Sequence, residues 1–280
     1  MEPAHPDHTS LIGKNHPVIP TLATTVLALA SGSMVGFTLG LVGGGGSIMA
    51  VPLLVYVVGV ENPHVAIGTS AVAVAVNAAM NLLSHAKLGT VKWRCGAVFA
   101  LSGVIGALGG SSLGKLVDGQ RLLALFAVLM IVVGGLMLKS RHAEGRPEVQ
   151  LSRENLPKLV GLGLASGALS GFFGIGGGFL VVPALILATS MPIKYAVGSS
   201  LLAVTAFGLT TSANYAVSGL VDWALAGLFI AGGLVGGLIG ARSASALASR
   251  KGLLNTVFAA MIMAVAAYML WRSLGAAMAG

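Results

Sequence analysis

Gly40-Leu41-Val42-Gly43-Gly44-Gly45-Gly46-Ser47, with Pro52 five residues on, matches Gly171-Phe172-Phe173-Gly174-Ile175-Gly176-Gly177-Gly178, with Pro183 five residues on. Each stretch closes one apolar segment and opens a shorter one. Two further pairs follow in the same order. Ala66-Ile67-Gly68-Thr69-Ser70 matches Ala196-Val197-Gly198-Ser199-Ser200, and Leu88 to Trp93 matches Ser218 to Trp223. The offset is 130 or 131 residues throughout, which chance does not easily produce. The chain is an internal duplication.

The composition fixes the solvent of the two copies. Of 280 residues, 56% are hydrophobic and only 9% are charged, against about 25% charged residues in soluble domains. Mean hydropathy is +0.93. The natural solvent is lipid, which admits helix bundles or closed barrels. Barrel strands alternate apolar and polar residues over about ten positions. Here the apolar runs are continuous, so the fold class expected is all-α integral membrane.

Five apolar segments are read in each half: about 18–42, 47–60, 65–85, 95–114 and 121–138, then 158–174, 178–190, 195–217, 223–241 and 251–271. The second of each set is short. Fourteen helical residues cover ~21 Å, against ~30 Å of hydrocarbon. The expectation is eight to ten membrane segments with helices broken by Gly and Pro. The organisation read is a polar tail (1–17), a first membrane repeat (18–138), a charged linker (139–157), a second repeat (158–273) and a short tail (274–280). Ala30-Ser31-Gly32 recurs as Ala165-Ser166-Gly167, so the first apolar stretch belongs to the domain and is not a signal peptide.

The net charge of +8 comes from residues in short loops and favours positive-inside topology over nucleic-acid binding. Lys87, Lys92, Arg94 and the linker read as cytoplasmic. The loop with Arg242, Arg250 and Lys251 joins them only with five crossings per half, which favours inverted repeats with both termini outside. Cys95 is the sole cysteine and reads as packing. Trp93, Trp223 and Trp271 read as interfacial anchors, and His64 and His85 as lying near segment ends.

Gly and Pro interruptions at matching places in two halves point to a transporter's binding site. A broken helix leaves free N–H groups and a positive dipole end, and glycine removes the Cβ that would hold a ligand off. Two such ends would bind an anion without a buried Lys or Arg. The candidate substrate contacts are therefore Gly44, Gly45, Gly46 and Ser47 with Gly176, Gly177 and Gly178. The hydroxyl pairs of Gly68-Thr69-Ser70 and Gly198-Ser199-Ser200 join them, either donating to the anion or bonding back to the backbone. Asn77 is the further candidate, since amides in lipid are costly unless paired. No catalytic, metal or cofactor motif is read: there is no Walker lysine, HExxH, GxSxG or Cys/His cluster. The chain reads as a non-enzyme whose transport is passive or driven by an ion gradient, with a proton or cation as possible coupling partner.

These residues resemble the sulfite exporter TauE/SafE family. The resemblance rests on the paired glycine motifs ending in Pro52 and Pro183, on Pro63 to Ser70, and on Gly89 to Trp93 with Gly219 to Trp223. It implies a multi-pass inner-membrane protein that transports sulfite, a sulfonate such as sulfoacetate, or a related anion, and it carries the glycine motifs and hydroxyl pairs over as the site. The copies depart from each other at Ser47 against Gly178 and at Gly44 against Ile175, so the halves need not bind alike. Two other functions fit the same sequence: an anion channel, and a membrane-embedded assembly partner that moves nothing.

Overall fold

A computed structural model describes residues 21–139, 151–175, 178–247, 263 and 265–271. Among these residues there is helix and no strand. The elements are α1 (Leu22–Val42), a 3-10 segment (Gly43–Met49), α2 (Ala50–Leu53), a π segment (Leu54–Val58), α3 (Pro63–Lys87), α4 (Trp93–Gly114), α5 (Gly119–Lys139), α6 (Leu156–Phe173), α7 (Gly178–Thr189), α8 (Ile193–Val217) and α9 (Trp223–Leu247). Six helices, α1, α3, α4, α6, α8 and α9, are long and apolar enough to cross a bilayer. The stretches Gly45–Val58 and Gly178–Thr189 are apolar but shorter, as their sequence predicts. The tails, Gly176, Gly177 and much of the linker lie outside the described residues.

Glycine sets the helix pairing. A side chain added at Gly32, Gly36 or Gly40 of α1 would strike the backbone of α9 at Phe229, Gly233 and Gly237 respectively. In the other half, Gly163, Gly167 and Gly171 of α6 meet α4 at Phe99, Gly103 and Ala107. The first helix of each half thus lies backbone-to-backbone against the fourth helix of the other. The contacts advance together along both chains, so α1 runs parallel to α9 and α6 parallel to α4. This register pairs Gly36 with Gly167. The Ala30–Gly32 likeness to Ala165–Gly167 is therefore one helical turn out of step; four residues return to the same helix face, which is why it resembles a true match.

The third helices cross at the centre. Gly208 of α8 faces Ala71 and Ala75 of α3, while Gly68 near the start of α3 faces Tyr215 near the end of α8. Hence α3 and α8 are antiparallel, and equivalent helices of the two halves point in opposite directions. This is the relation that inversion of one repeat against the other produces. Asn77 and Asn81 of α3 face Gly233 and Gly237 of α9 in the same order, so α3 is parallel to α9 and therefore to α1. The 43–58 stretch must carry the chain back between α1 and α3.

These directions put the starts of α4, α6 and α8 at one end of the bundle with the ends of α1, α3 and α9. Lys87, Lys92, Arg94, Arg153, Lys158, Lys194 and Arg242 all lie at that end, the end that carries the linker. Of the basic residues with described side chains, only Lys115 and Arg121 lie opposite. Trp93 and Trp223, 53% and 65% exposed, begin α4 and α9, one at each end, as anchors do. Cys95 is buried in the α4 packing.

The close helix crossings have a measurable consequence. Gly36→Leu and Gly233→Leu have no room and should cost more than the 1–3 kcal/mol typical of an overpacked core. Gly109→Ala, in open space on α4, should be neutral or slightly stabilising. Thermal unfolding in detergent distinguishes them; equal melting temperatures would contradict the backbone contacts.

Candidate functional site

The two glycine motifs do not form the same structure. In the second half, α6 ends at Gly174, whose φ of 68° suits glycine. The Gly174 N–H donates to the Gly171 carbonyl (3.3 Å) and the Ile175 N–H to the Ser170 carbonyl (3.2 Å). This pair of bonds is a Schellman closure. A new helix, α7, then starts at the buried Gly178. Its first N–H groups have no carbonyl of their own helix to meet, so they form a positive end. In the first half the chain turns at Gly43 (φ 71°) and winds on as a 3-10 helix through Met49. Winding uses up N–H groups that an open break would leave free. Gly45, Gly46 and Ser47 are buried in this turn. A Cβ at Gly46 would meet the α1 backbone at Thr38 and Leu39, so this glycine is required by packing within its own half. Gly44 lies within the same turn.

Each turn sits on the third helix of the other half. A side chain at Gly43 would strike Val197, and one at Gly174 would strike Ile67. Ile67 and Val197 lie near the starts of antiparallel helices. From Ile67 to the crossing at Ala75 is eight residues, about 12 Å along the axis. The turns therefore flank the crossing on opposite sides.

The hydroxyl pairs have specific partners. Thr69, fully buried, accepts the Asp222 N–H at 2.9 Å. Ser199, equally buried, accepts the Lys92 N–H at 2.8 Å. Each thus holds the loop that leads into the fourth helix of the other half. Gly68 and Gly198 allow the approach: their hypothetical Cβ atoms fall on the carbonyls of Leu220 and Thr90. Ser70 donates to the Ile67 carbonyl (2.9 Å) and reaches the Gly174 carbonyl (3.5 Å), and Ser200 donates to the Val197 carbonyl (2.7 Å). The four hydroxyls serve the backbone, and Thr69, Ser199 and Ser70 do so across the halves.

Asn77 is different. It is 1% exposed, near the middle of α3, and neither its amide nitrogen nor its carbonyl oxygen has a hydrogen-bond partner. Its backbone carbonyl accepts from Asn81 (2.9 Å), while the side-chain amide faces Gly233, where any side chain would displace it. The equivalent residue of the second half is Phe207, stacked on Phe99 at 6.3 Å and pressed against Gly103. The two halves thus place an unpaired amide and an aromatic ring at corresponding points.

Other buried groups without partners are His64 Nδ1, Ser170 Oγ, Thr211 Oγ1, Tyr215 Oη and His85 Nε2. His85 is buried, 7% exposed, with Nδ1 at 2.9 Å from Thr90 Oγ1. Ser170 and Tyr215 escaped the sequence reading. Their signals were position: Ser170 directly precedes the second glycine motif, and Tyr215 occupies the position that His85 has in the first half. No cluster of metal-ligating side chains occurs among the described residues. One cavity of ≈ 250 Å³ lies beside Pro52 and Tyr56, and one of ≈ 410 Å³ lies between α4 and α8. Met49, at the end of the first glycine turn, lines the smaller of the two, and Asn77 lines neither.

The family described as Sulfite exporter TauE/SafE matches residues 28–269. A probable membrane transporter protein of Xylella fastidiosa (strain Temecula1) is 56% identical over 254 residues, covering 90% of this chain and 97% of that protein. The probable membrane transporter protein YunE of Bacillus subtilis is 30% identical over 241 residues, covering 77% and 87%. One from Methanocaldococcus jannaschii is 30% identical over 176 residues, covering 60% and 64%. No solved structure matches the chain.

The cross-half bonds of Thr69 and Ser199 define a test. Thr69→Val or Ser199→Val leaves a part-buried N–H unpaired and should lower stability by about 1–3 kcal/mol. Apparent anion affinity should change little. A large loss of affinity with unchanged melting would return these hydroxyls to the substrate.

Proposed function

We propose that this chain, which belongs to the sulfite exporter TauE/SafE family and is a multi-pass membrane transporter, is a secondary carrier of a small sulfur-containing anion. The substrate class proposed is sulfite, sulfoacetate or another sulfonate. The anion binds between the two halves, and access alternates from one face of the bilayer to the other. The family name supports the sulfur oxyanion. The single observation that carries the site is Asn77, a buried amide with both polar atoms unpaired, held in a membrane helix by space that Gly233 leaves for it.

An unpaired buried amide costs about 1–3 kcal/mol, and such cost persists where a ligand repays it. The Asn77 Nδ2 group donates to a sulfonate or sulfite oxygen. It is a neutral group, so the site holds an anion without trapping it as a buried cation would. The closed surroundings of Asn77 fit an occluded carrier better than an open pore, which favours the carrier over a channel. The concentration of basic residues at the linker end supports a cytoplasmic linker and a multi-pass inner-membrane protein.

Counterflow in proteoliposomes tests the reading. Protein loaded with unlabelled sulfite, sulfoacetate, taurine, sulfate or acetate should accumulate labelled sulfonate for one or two of these anions. Flux without accumulation would mean a channel, and no flux from folded protein would remove transport of this class. Asn77→Leu, close in volume and without the unpaired amide, should abolish counterflow while leaving the melting temperature equal or higher. Full counterflow in that variant would remove Asn77 from the site.

A further inference from the structure

Lys115 ends up at the face of the bundle that is poor in basic residues. Its ammonium donates to Asn214 Oδ1 (2.8 Å), to the Asn214 carbonyl (3.2 Å) and to Ser218 Oγ (2.8 Å). All three acceptors are neutral, and no carboxylate pairs with Lys115 among the described residues. Asn214 is fixed in turn by donating to Ser111 (2.6 Å) and Ser112 (3.1 Å). The cation is thus held in place by neutral groups, with the Tyr215 ring 5.9 Å away, and no anionic partner meets it among the described residues.

This lysine stands at the end of the ≈ 410 Å³ groove between α4 and α8. The two helices are parallel, so depth along the groove can be read from the sequence. Val104 and Leu108 line its deeper part on α4, then Ser112, and Lys115 follows almost one turn later. On α8 the lining passes from Thr210 to Asn214 and Val217, with Ser218 beyond. Leu108 and Val217 are 51% and 91% exposed. The groove opens to the lipid side, is apolar toward the membrane centre and becomes polar and cationic toward the membrane surface.

We propose that this groove binds an anionic phospholipid, one acyl chain lying along Val104 and Leu108 of α4 beside Thr210 of α8, and the headgroup phosphate sitting at Lys115. Charge complementarity selects the occupant: a fixed ammonium at headgroup depth whose partners are all neutral suits a phosphate, and the apolar floor suits a chain attached to it. The lipid would brace α4 of one half against α8 of the other at the point where the Lys115–Asn214 bonds already join them.

The test uses the full chain, delipidated in detergent, with phosphatidylglycerol, phosphatidylcholine and inorganic phosphate as separate probes, read by native mass spectrometry and by melting temperature. Phosphatidylglycerol should bind and stabilise more than phosphatidylcholine. Lys115→Gln should weaken that preference about five-fold, the value of one basic side chain near an anionic lipid surface, and Lys115→Arg should retain it. Ala213→Trp, which fills the groove and leaves the Lys115 bonds intact, should remove binding of both lipids, so a folding defect in Lys115→Gln does not decide the matter. Equal binding of the two lipids, an unchanged preference in Lys115→Gln, or protection by inorganic phosphate equal to that by lipid would each overturn the proposal.

Discussion

Lipid does not drive apolar helices together, because the tails solvate a leucine as well as another helix does. Contact must come from packing and from polar groups, and in this chain it comes from backbone against backbone. Gly32, Gly36 and Gly40 lie on α9, and Gly163, Gly167 and Gly171 lie on α4. These two seams join the first helix of each half to the fourth of the other, so neither half is closed without its partner. The central α3–α8 crossing, the glycine turns and the hydroxyl bonds all sit inside the frame that the seams create.

Within that frame the duplication is used in two ways. Where the halves hold each other, they are alike: Thr69 accepts from Asp222 and Ser199 from Lys92, and Gly43 rests on Val197 as Gly174 rests on Ile67. Where chemistry is expected, they differ. Asn77 corresponds to Phe207 and His85 to Tyr215. The first glycine turn is wound as a 3-10 helix, while the second is a true break followed by a fresh helix start. A symmetric scaffold therefore surrounds an asymmetric interior.

Much of this was legible in the sequence. The repeat, the helical membrane class, the short second segment of each half and the placement of tryptophans followed from composition, segment length and an offset of 130 or 131 residues. These depend on local or one-dimensional quantities. The preference for five segments per half also came from the sequence, through the charge of three loops, and the directions of α1, α3 and α8 agree with it. The register of the first helix was misread by one turn because a glycine spacing of four repeats on itself along α1 and α6.

The roles of individual polar residues were decided only by tertiary structure. In sequence, Thr69, Ser70, Ser199, Ser200 and Asn77 are alike in being polar groups in apolar segments. Folding gives the four hydroxyls backbone partners and gives the Asn77 amide none, because whether a polar atom is paired depends on what another part of the chain brings within about 3 Å of it. The same holds for the two glycine runs, one wound and one broken. Residue type determined that this protein lives in a bilayer and is built twice; partners more than a hundred residues away in the chain determined which of its buried polar groups are paired and which are not.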